Sequence, residues 1–560
     1  MEKTRPFNNP KVRNVACVLT LVLTAILLLL RMPYGLDLTD EPYYSALAYR
    51  LLLGDRLFVD AWELHQISAL LTVPFLALFR FLTGGLDGVL LFYRGLFILA
   101  QFALSLYCFA VLSRRYGRLC GITAAMLTLV YAHYTLDGLS YCNMGPMLVI
   151  LSGLHWIRAE SAKHPAPFRL MSGIAYALSV GVYPSFVLSL PFVILYLILF
   201  ARKNRPAVTC FTLGLLSVIA VFAVLLLLRS TPAEVIAGIR GMLSDPDHQS
   251  ENPLLSVLRF PNYVRVLFSY AAYLAAALLL LLPVRPLLSA RVGQRLDALL
   301  PYLFLLTLCL AAVRVFTVSY EPCLCCNLAA MIPALLFPSA FLASEKKDDP
   351  AGFLLLLGAL LVIGVQVGSN TRFHASSGAT LPLSVASLAF LAPFFDRVRV
   401  RRLGRVLAVV SCVLCVVSVG YWRFNAVYRD APLARLDTVV SSGPAMGCIT
   451  TKERAEAVET LCREVQENGA DEGSMLVVRL MPIAYLSATQ TFSTPSVFNM
   501  RPDSAWLADY LAAHPDRVPT RIFWIDTAID ETNSEPTAET LSFAAEYRRI
   551  PCEALTVYAR

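Results

Sequence analysis

Long apolar runs, each near the ~20 residues that cross a hydrocarbon core, recur between residues 15 and 421 with short polar segments between them. A backbone in lipid must satisfy its own hydrogen bonds, so these runs predict helices. A closed barrel would show short alternating stretches instead. The pattern predicts an α-helical polytopic membrane protein with about thirteen transmembrane helices by the same length criterion. One stretch resists simple alternation: residues 66–82 are apolar, but the run is short, holds Pro74 and reaches Arg80. Counting it as a crossing would put Arg114, Arg115 and Arg118 outside, against the tendency of Lys and Arg to stay in the cytoplasm. It is therefore expected to be an in-plane or re-entrant segment at the outer face.

After Tyr421 the pattern turns soluble. TTKERAEAVETLCREVQENG has helical periodicity and opens like a capping box. SMLVVRL, RIFWID and LTVYAR read as buried strands, with DSAWLADYLAAH as a helix before the second of them. The expected division is a membrane domain at residues 1–421 and a small C-terminal extracytoplasmic α/β domain at residues 422–560, its sheet largely parallel. No GxGxxG or Walker motif marks a nucleotide site in it.

Composition agrees with lipid as the main solvent. Apolar residues make up 57% of the 560 positions and charged residues 15%, against roughly one quarter charged in soluble chains. The net charge of +8 does not argue for nucleic acid, because Lys and Arg sit in short segments beside the apolar runs, as membrane orientation requires. The basic clusters fall at residues 3–13, 114–118, 158–163, 202–205, 285–295, 346–347 and 397–405. Placing them in the cytoplasm puts the N-terminus inside and the C-terminal domain outside. No small-residue cleavage site follows the basic N-terminus, so the first helix is expected to be retained. Cys323, Cys325 and Cys326 form a CLCC cluster without zinc-site spacing, which favours packing over a disulfide.

The candidate chemistry lies on the outward side. The first outer loop, residues 32–65, carries Asp37, Asp40, Glu41, Asp55, Asp60, Glu63 and His65 among Tyr43, Tyr44 and Trp62. Residues 42–53 predict a short surface helix stopped by Gly54, with Asp40 and Glu41 at its start. Such a pair suits general-base work, one carboxylate accepting a proton while the other orients the acceptor or holds a metal. It equally suits a helix cap with a favourable first-turn charge. Other outward loops add His133, Asp137, Tyr141 and Asn143, then Asp245, Asp247, His248, Glu251 and Arg259, then Glu321, and finally Asn370, Arg372 and His374. Arg94 falls near the outer end of its helix. Acids with Arg and His along a bilayer edge are what a lipid-linked phosphate requires.

The segment DEPYYSALAYRLLLGDRLFVDAWELHQ resembles the acidic first external loop of GT-C glycosyltransferases, the superfamily of protein O-mannosyltransferases, aminoarabinose transferases and related bacterial enzymes. The resemblance rests on the Asp-Glu pair, the Gly-Asp turn, the following D-x-W-E and an acid in the second external loop, here Asp137. The chain departs after His65, where Gln66-Ile67-Ser68 stands in place of a frequent Pro-Pro pair. The resemblance implies a hexosyl or pentosyl transferase that takes a sugar from a polyprenyl-phosphate donor and passes it to an extracytoplasmic glycan, lipid or protein. It implies Asp40 as the base with Glu41 beside it, and Arg372, with Arg94 and Arg259, against the departing phosphate. Asp137, Glu63, His65 and His374 complete the expected substrate site. No cofactor is required, and a divalent cation is compatible with the acids. Two other readings stand beside this one: a lipid-linked-glycan transporter, which should show internal repeats that the sequence lacks, and a non-catalytic membrane scaffold.

Overall fold

The computed structural model describes residues 10–201, 204–245, 253–345, 348–369, 371–398, 402–469, 473–498, 505–525 and 545–560. Residues 3–9, 202–203, Asp247, His248, Glu251, Lys346, Lys347, Asn370 and residues 399–401 of the expected clusters lie outside them. Among the described residues, ten helices are long and apolar enough to cross a membrane, by length and composition. Three shorter apolar helices accompany them, so the count of thirteen crossings is not established by length. The first seven helices are α1 (Pro10–Arg31), α2 (Asp40–Leu52), α3 (Gln66–Thr83), α4 (Val89–Tyr116), α5 (Arg118–Val130), α6 (Tyr141–Ala159) and α7 (Ala166–Val182).

Helices in lipid gain little from apolar burial against one another, so close packing and small residues set their contacts. At the crossing of α7 with the helix Arg205–Leu227, a Cβ on Gly173 would lie 2.0 Å from the Phe211 carbonyl oxygen, and one on Gly214 would lie 2.1 Å from that of Leu170. Each glycine admits the backbone of the other helix. Gly214→Leu is expected to force the pair apart and lower the melting temperature of the purified protein by several degrees, a cost of the ~1–3 kcal/mol typical of overpacking.

Two faces emerge at opposite ends of the helices. At one, Arg118 donates to Asn14 at 2.9 Å, Arg115 lies 3.5 Å from Asp349, and Arg397 lies 3.0 Å from Glu345. This gathers the start of α1, the junction of α4 and α5, and the end of the helix Leu381–Val398. At the other, Arg31 donates to the Phe424 carbonyl at 2.8 Å, and the Leu36 amide donates to Asp430 at 2.7 Å. The end of α1 thus meets the end of the helix Arg402–Asn425. The chain beyond α3 also reaches this second face. Gln66 bonds the carbonyls of Ala61 and Glu63, and beyond α3 the Gly88 amide donates to Gly443 at 3.0 Å.

The segment after residue 425 forms a hairpin of β1 (Thr438–Val439) and β2 (Ile449–Thr450), then a five-stranded sheet. That sheet holds β3 (Ser474–Val478), β4 (Thr491–Phe492), β5 (Arg521–Ile525), β6 (Arg548–Pro551) and β7 (Leu555–Ala559) in the order β4-β3-β5-β7-β6. SMLVV, RIFWI and LTVYA are strands, and Ala505–Ala513 is the helix between the first two of these. The sheet is mixed rather than largely parallel: β3 is parallel to β4 and β5, whereas β7 is antiparallel to β5 and β6. The antiparallel arm runs through residues 548–559, where RRIP pairs directly with LTVYA. The capping box is also half formed. Thr451 accepts from the Arg454 amide at 3.3 Å, but the position that a box needs as Glu or Gln is Arg454 itself.

This sheet shares a core with the first loop rather than standing apart. Leu36, Tyr43, Tyr49 and Leu90 pack in one cluster with Val440, Met475, Ile483 and Phe523. A buried ionic chain ties the two together more specifically. Arg50 reaches Asp55 at 2.5 Å and the Thr494 carbonyl at 2.9 Å, while Arg517 reaches Asp55 at 2.7 Å and Asp60 at 3.4 Å.

Candidate active site

The local sequence aims the acids. Asp37 accepts from the amides of Thr39 at 3.2 Å and Glu41 at 2.7 Å, so it, rather than Asp40, caps the start of α2. That leaves the Asp40 side chain projecting from the first turn. Its Oδ2 accepts from the Tyr428 hydroxyl at 2.5 Å and lies 3.3 Å from Arg429. Burial raises the Asp40 pKa to about 6, and the nearby Asp37 charge pushes the same way; Arg429 and the Tyr428 hydroxyl partly oppose them. A carboxylate poised near 6 is a competent base at neutral pH.

Asp40 borders a small cavity of about 70 Å³ with Tyr43, Tyr44, Glu63, His65, Tyr141 and Asp245. Its aromatic walls are continuous. The His65 ring stacks on Tyr141 at 3.4 Å between centroids, Tyr44 meets Tyr141 edge-on at 5.9 Å, and Tyr43 meets Phe498 at 5.4 Å. Glu63 is fixed from the C-terminal side, where its Oε1 accepts from the Val497 amide at 2.7 Å. Burial pushes its pKa up, against the Arg50 charge 3.9 Å away.

Glu41 has a different task. It forms a two-point ion pair with Arg94, at 2.5 and 2.6 Å, and Arg94 also donates to the carbonyls of Met32 at 2.7 Å and Gly35 at 2.8 Å. The guanidinium is engaged in holding the turn before α2, where the sequence reading expects it to meet a donor phosphate. Asp137 joins the same neighbourhood: it pairs with buried Arg423 and borders a second small cavity with Asp37, Glu41 and Arg94.

The remaining expected residues fall elsewhere. Arg259 is exposed on the helix Pro253–Phe268. Arg372 stands just before the short helix Phe373–Gly378 and His374 lies in it, where His374 bonds Tyr320 at 3.1 Å, and neither borders the two cavities. The cation beside Asp40 is Arg429. His133 is buried, with its pKa lowered to about 3 by desolvation, and its amide donates to Asn143 at 2.9 Å, so these two shape the 131–138 loop. Glu321 stands at the start of the helix Pro322–Ala330, in which Cys323, Cys325 and Cys326 are buried free thiols. Among the described residues, no group of three or more His, Cys, Asp or Glu could hold a metal ion.

Removing the Tyr428 hydroxyl takes away a bond that favours ionised Asp40. Tyr428→Phe is therefore expected to raise the Asp40 pKa by about half a unit to one unit, measurable as a displaced acidic limb of the pH–rate profile.

No family model matches the sequence, and no curated protein matches it. Among solved structures, it is similar to the Archaeoglobus fulgidus oligosaccharyltransferase, a structure titled as a complex with Zn and sulfate, at 12% identity and a TM-score of 0.47, covering 90% of this chain and 67% of that one. It is also similar to ArnT from Cupriavidus metallidurans, at 13% identity and a TM-score of 0.43 for the structure bound to undecaprenyl phosphate, and 11% and 0.45 for the apo state. Both alignments cover 98% of each chain. These likenesses are distant, and the chemistry has to come from the cavity around Asp40.

Proposed function

We propose that this chain is a membrane glycosyltransferase of GT-C type that moves a sugar from a polyprenyl-phosphate donor to an extracytoplasmic glycan, lipid or protein. One observation carries the reading: a carboxylate with a pKa near 6 lines an aromatic-walled cavity, and an apolar cleft begins next to that wall. The cleft, of about 420 Å³, runs between α3, α7 and the helix Arg205–Leu227, starting at Ile67 and Gly181, close in sequence to His65 and Tyr183. Tyr183 meets Tyr141 at 5.1 Å. An isoprenoid chain suits such a cleft, and its phosphate would then lie at the aromatic wall.

Asp40 takes the proton of the acceptor hydroxyl as its oxygen attacks the anomeric carbon, and the bond to the carrier phosphate breaks. Charge grows on the leaving phosphate, where Arg429 is the cation on hand. Tyr43, Tyr44 and Tyr141 offer faces and hydroxyls to a sugar ring. The free space at Asp40 holds only a few waters at the ~10–15 Å³ each needs. Loading a sugar therefore requires the Ser496–Phe498 edge to move off Tyr43, which gives the C-terminal segment a part in admitting substrate.

The test is incubation of the purified protein with a panel of polyprenyl-phosphate sugars, following release of free polyprenyl phosphate with a candidate acceptor present. Release with at least one donor, with the sugar recovered on the acceptor, supports transfer. Vesicle uptake of donor without any transfer product would point to a transporter instead.

A further inference from the structure

A cavity of about 880 Å³ lies at the face opposite Asp40 and takes no part in the proposed transfer. Arg114 and Arg115 enter it from the end of α4, Arg158 from the end of α6 and Arg397 from the end of the helix Leu381–Val398. Phe390, Pro393 and Phe394 of that last helix line it too. Orientation in a membrane asks only that basic residues stay beyond the hydrocarbon. It does not ask that guanidinium groups from three separate helix ends converge on one hollow.

The charges are unevenly matched. Three carboxylates share the wall, and none is free. Asp349 accepts from the Tyr116 hydroxyl and from the Ala351 amide at 2.9 Å, and faces Arg115 at 3.5 Å. Glu345 pairs with Arg397 at 3.0 Å, with its side chain 83% exposed, and Asp396 is engaged as well. Arg114 and Arg158 have no carboxylate within ion-pairing distance among the described residues; Arg158 lies over the Phe168 ring at 5.7 Å. Two guanidinium groups are thus left facing a hollow with an aromatic floor.

We infer that this cavity binds the phosphodiester headgroup of an anionic phospholipid in the leaflet that covers the arginine face. The guanidinium fork matches phosphate oxygens two at a time. The apolar floor belongs to a membrane-length helix, so the glycerol end of a lipid can rest on Phe390 and Phe394 while its chains stay in the bilayer. A free phosphate ion needs neither that floor nor that volume. Basic pockets between helix ends on the cytoplasmic side are physically suited to such headgroups.

The experiment uses the full-length protein in neutral detergent, with dioleoylphosphatidylglycerol or dioleoylphosphatidylcholine added at equal molar ratio and retention read by native mass spectrometry. The expected result is selective retention of the anionic lipid, reduced about tenfold or more in Arg114→Ala/Arg158→Ala and kept in Arg405→Ala, an exposed arginine outside the cavity. Equal retention of the two lipids by the unaltered protein would overturn the inference without relying on any variant. So would undiminished retention in the double variant, or displacement of the lipid by millimolar inorganic phosphate, which would mark a site for a soluble anion.

Discussion

Asp40→Asn is expected to lower transfer by about 10²–10⁴-fold, the range for losing a positioned general base, while leaving the melting temperature close to that of the unaltered protein. The separation is possible because Asp40 does not hold the fold together. Asp37 caps α2, Glu41 holds Arg94, and among the described residues the Asp40 carboxylate bonds or pairs with Tyr428 and Arg429 alone. Asn keeps the shape and can still accept from Tyr428, but it cannot take a proton. The pH dependence carries the same signature. Burial raises the Asp40 pKa to about 6, so the base is ionised above that value, and activity falls as pH drops through 6. A rate independent of pH between 5 and 8, with full transfer by the Asn variant, would remove Asp40 from the chemistry.

Arg50→Ala is expected to destabilise the protein by about 3–5 kcal/mol, the cost of removing one partner from a buried ion pair. Its side chain is fully buried, and the substitution leaves Asp55 with Arg517 as its remaining ionic partner and Glu63 without its cation. It also removes the donor to the Thr494 carbonyl, two residues before the Ser496–Phe498 edge of the Asp40 cavity. Loosening should therefore appear first in residues 473–498. Limited proteolysis reads this directly: the variant should release C-terminal fragments well before the membrane helices are cut. Cleavage no faster than in the unaltered protein would mean that the apolar cluster alone holds the sheet in place.

Residue patterning carries the helical architecture, the small C-terminal strands and the cluster of acids in the first loop, because each leaves a local trace: run length, alternation, or a polar group that lipid would penalise. What joins the first loop to the C-terminal segment leaves no such trace. Tyr428 and Arg429 approach Asp40 from nearly 400 residues away, and only the aromatic and basic density of YWRFNAVYR, across the end of the last long helix, hints at them. Ser496, Val497 and Phe498 read as plain loop. Arg94 is a related case: a lone arginine at a helix end looks open to a phosphate until Glu41 is found 2.5 Å away. Asp37 and Asp40 are both acids near the start of α2, and only the amide of Glu41, bonded to Asp37, shows which one is the cap. The mixed sheet escaped because strand direction depends on residues 548–559 returning as an antiparallel pair, which a hydrophobic pattern does not encode.

A catalytic cavity fed by an outward-facing donor requires Asp40 to open on the side away from the cytoplasm. Single cysteines at Gly85, half-buried beyond α3 with open space around a Cβ there, and at Ser161, beside the arginine cavity, report the two faces when intact cells are treated with a membrane-impermeant maleimide above the background of the native thiols. Labelling at Gly85 in intact cells, with Ser161 labelled only after permeabilisation, is the predicted result. The reverse pattern would place Asp40 in the cytosol and contradict transfer at the outer face.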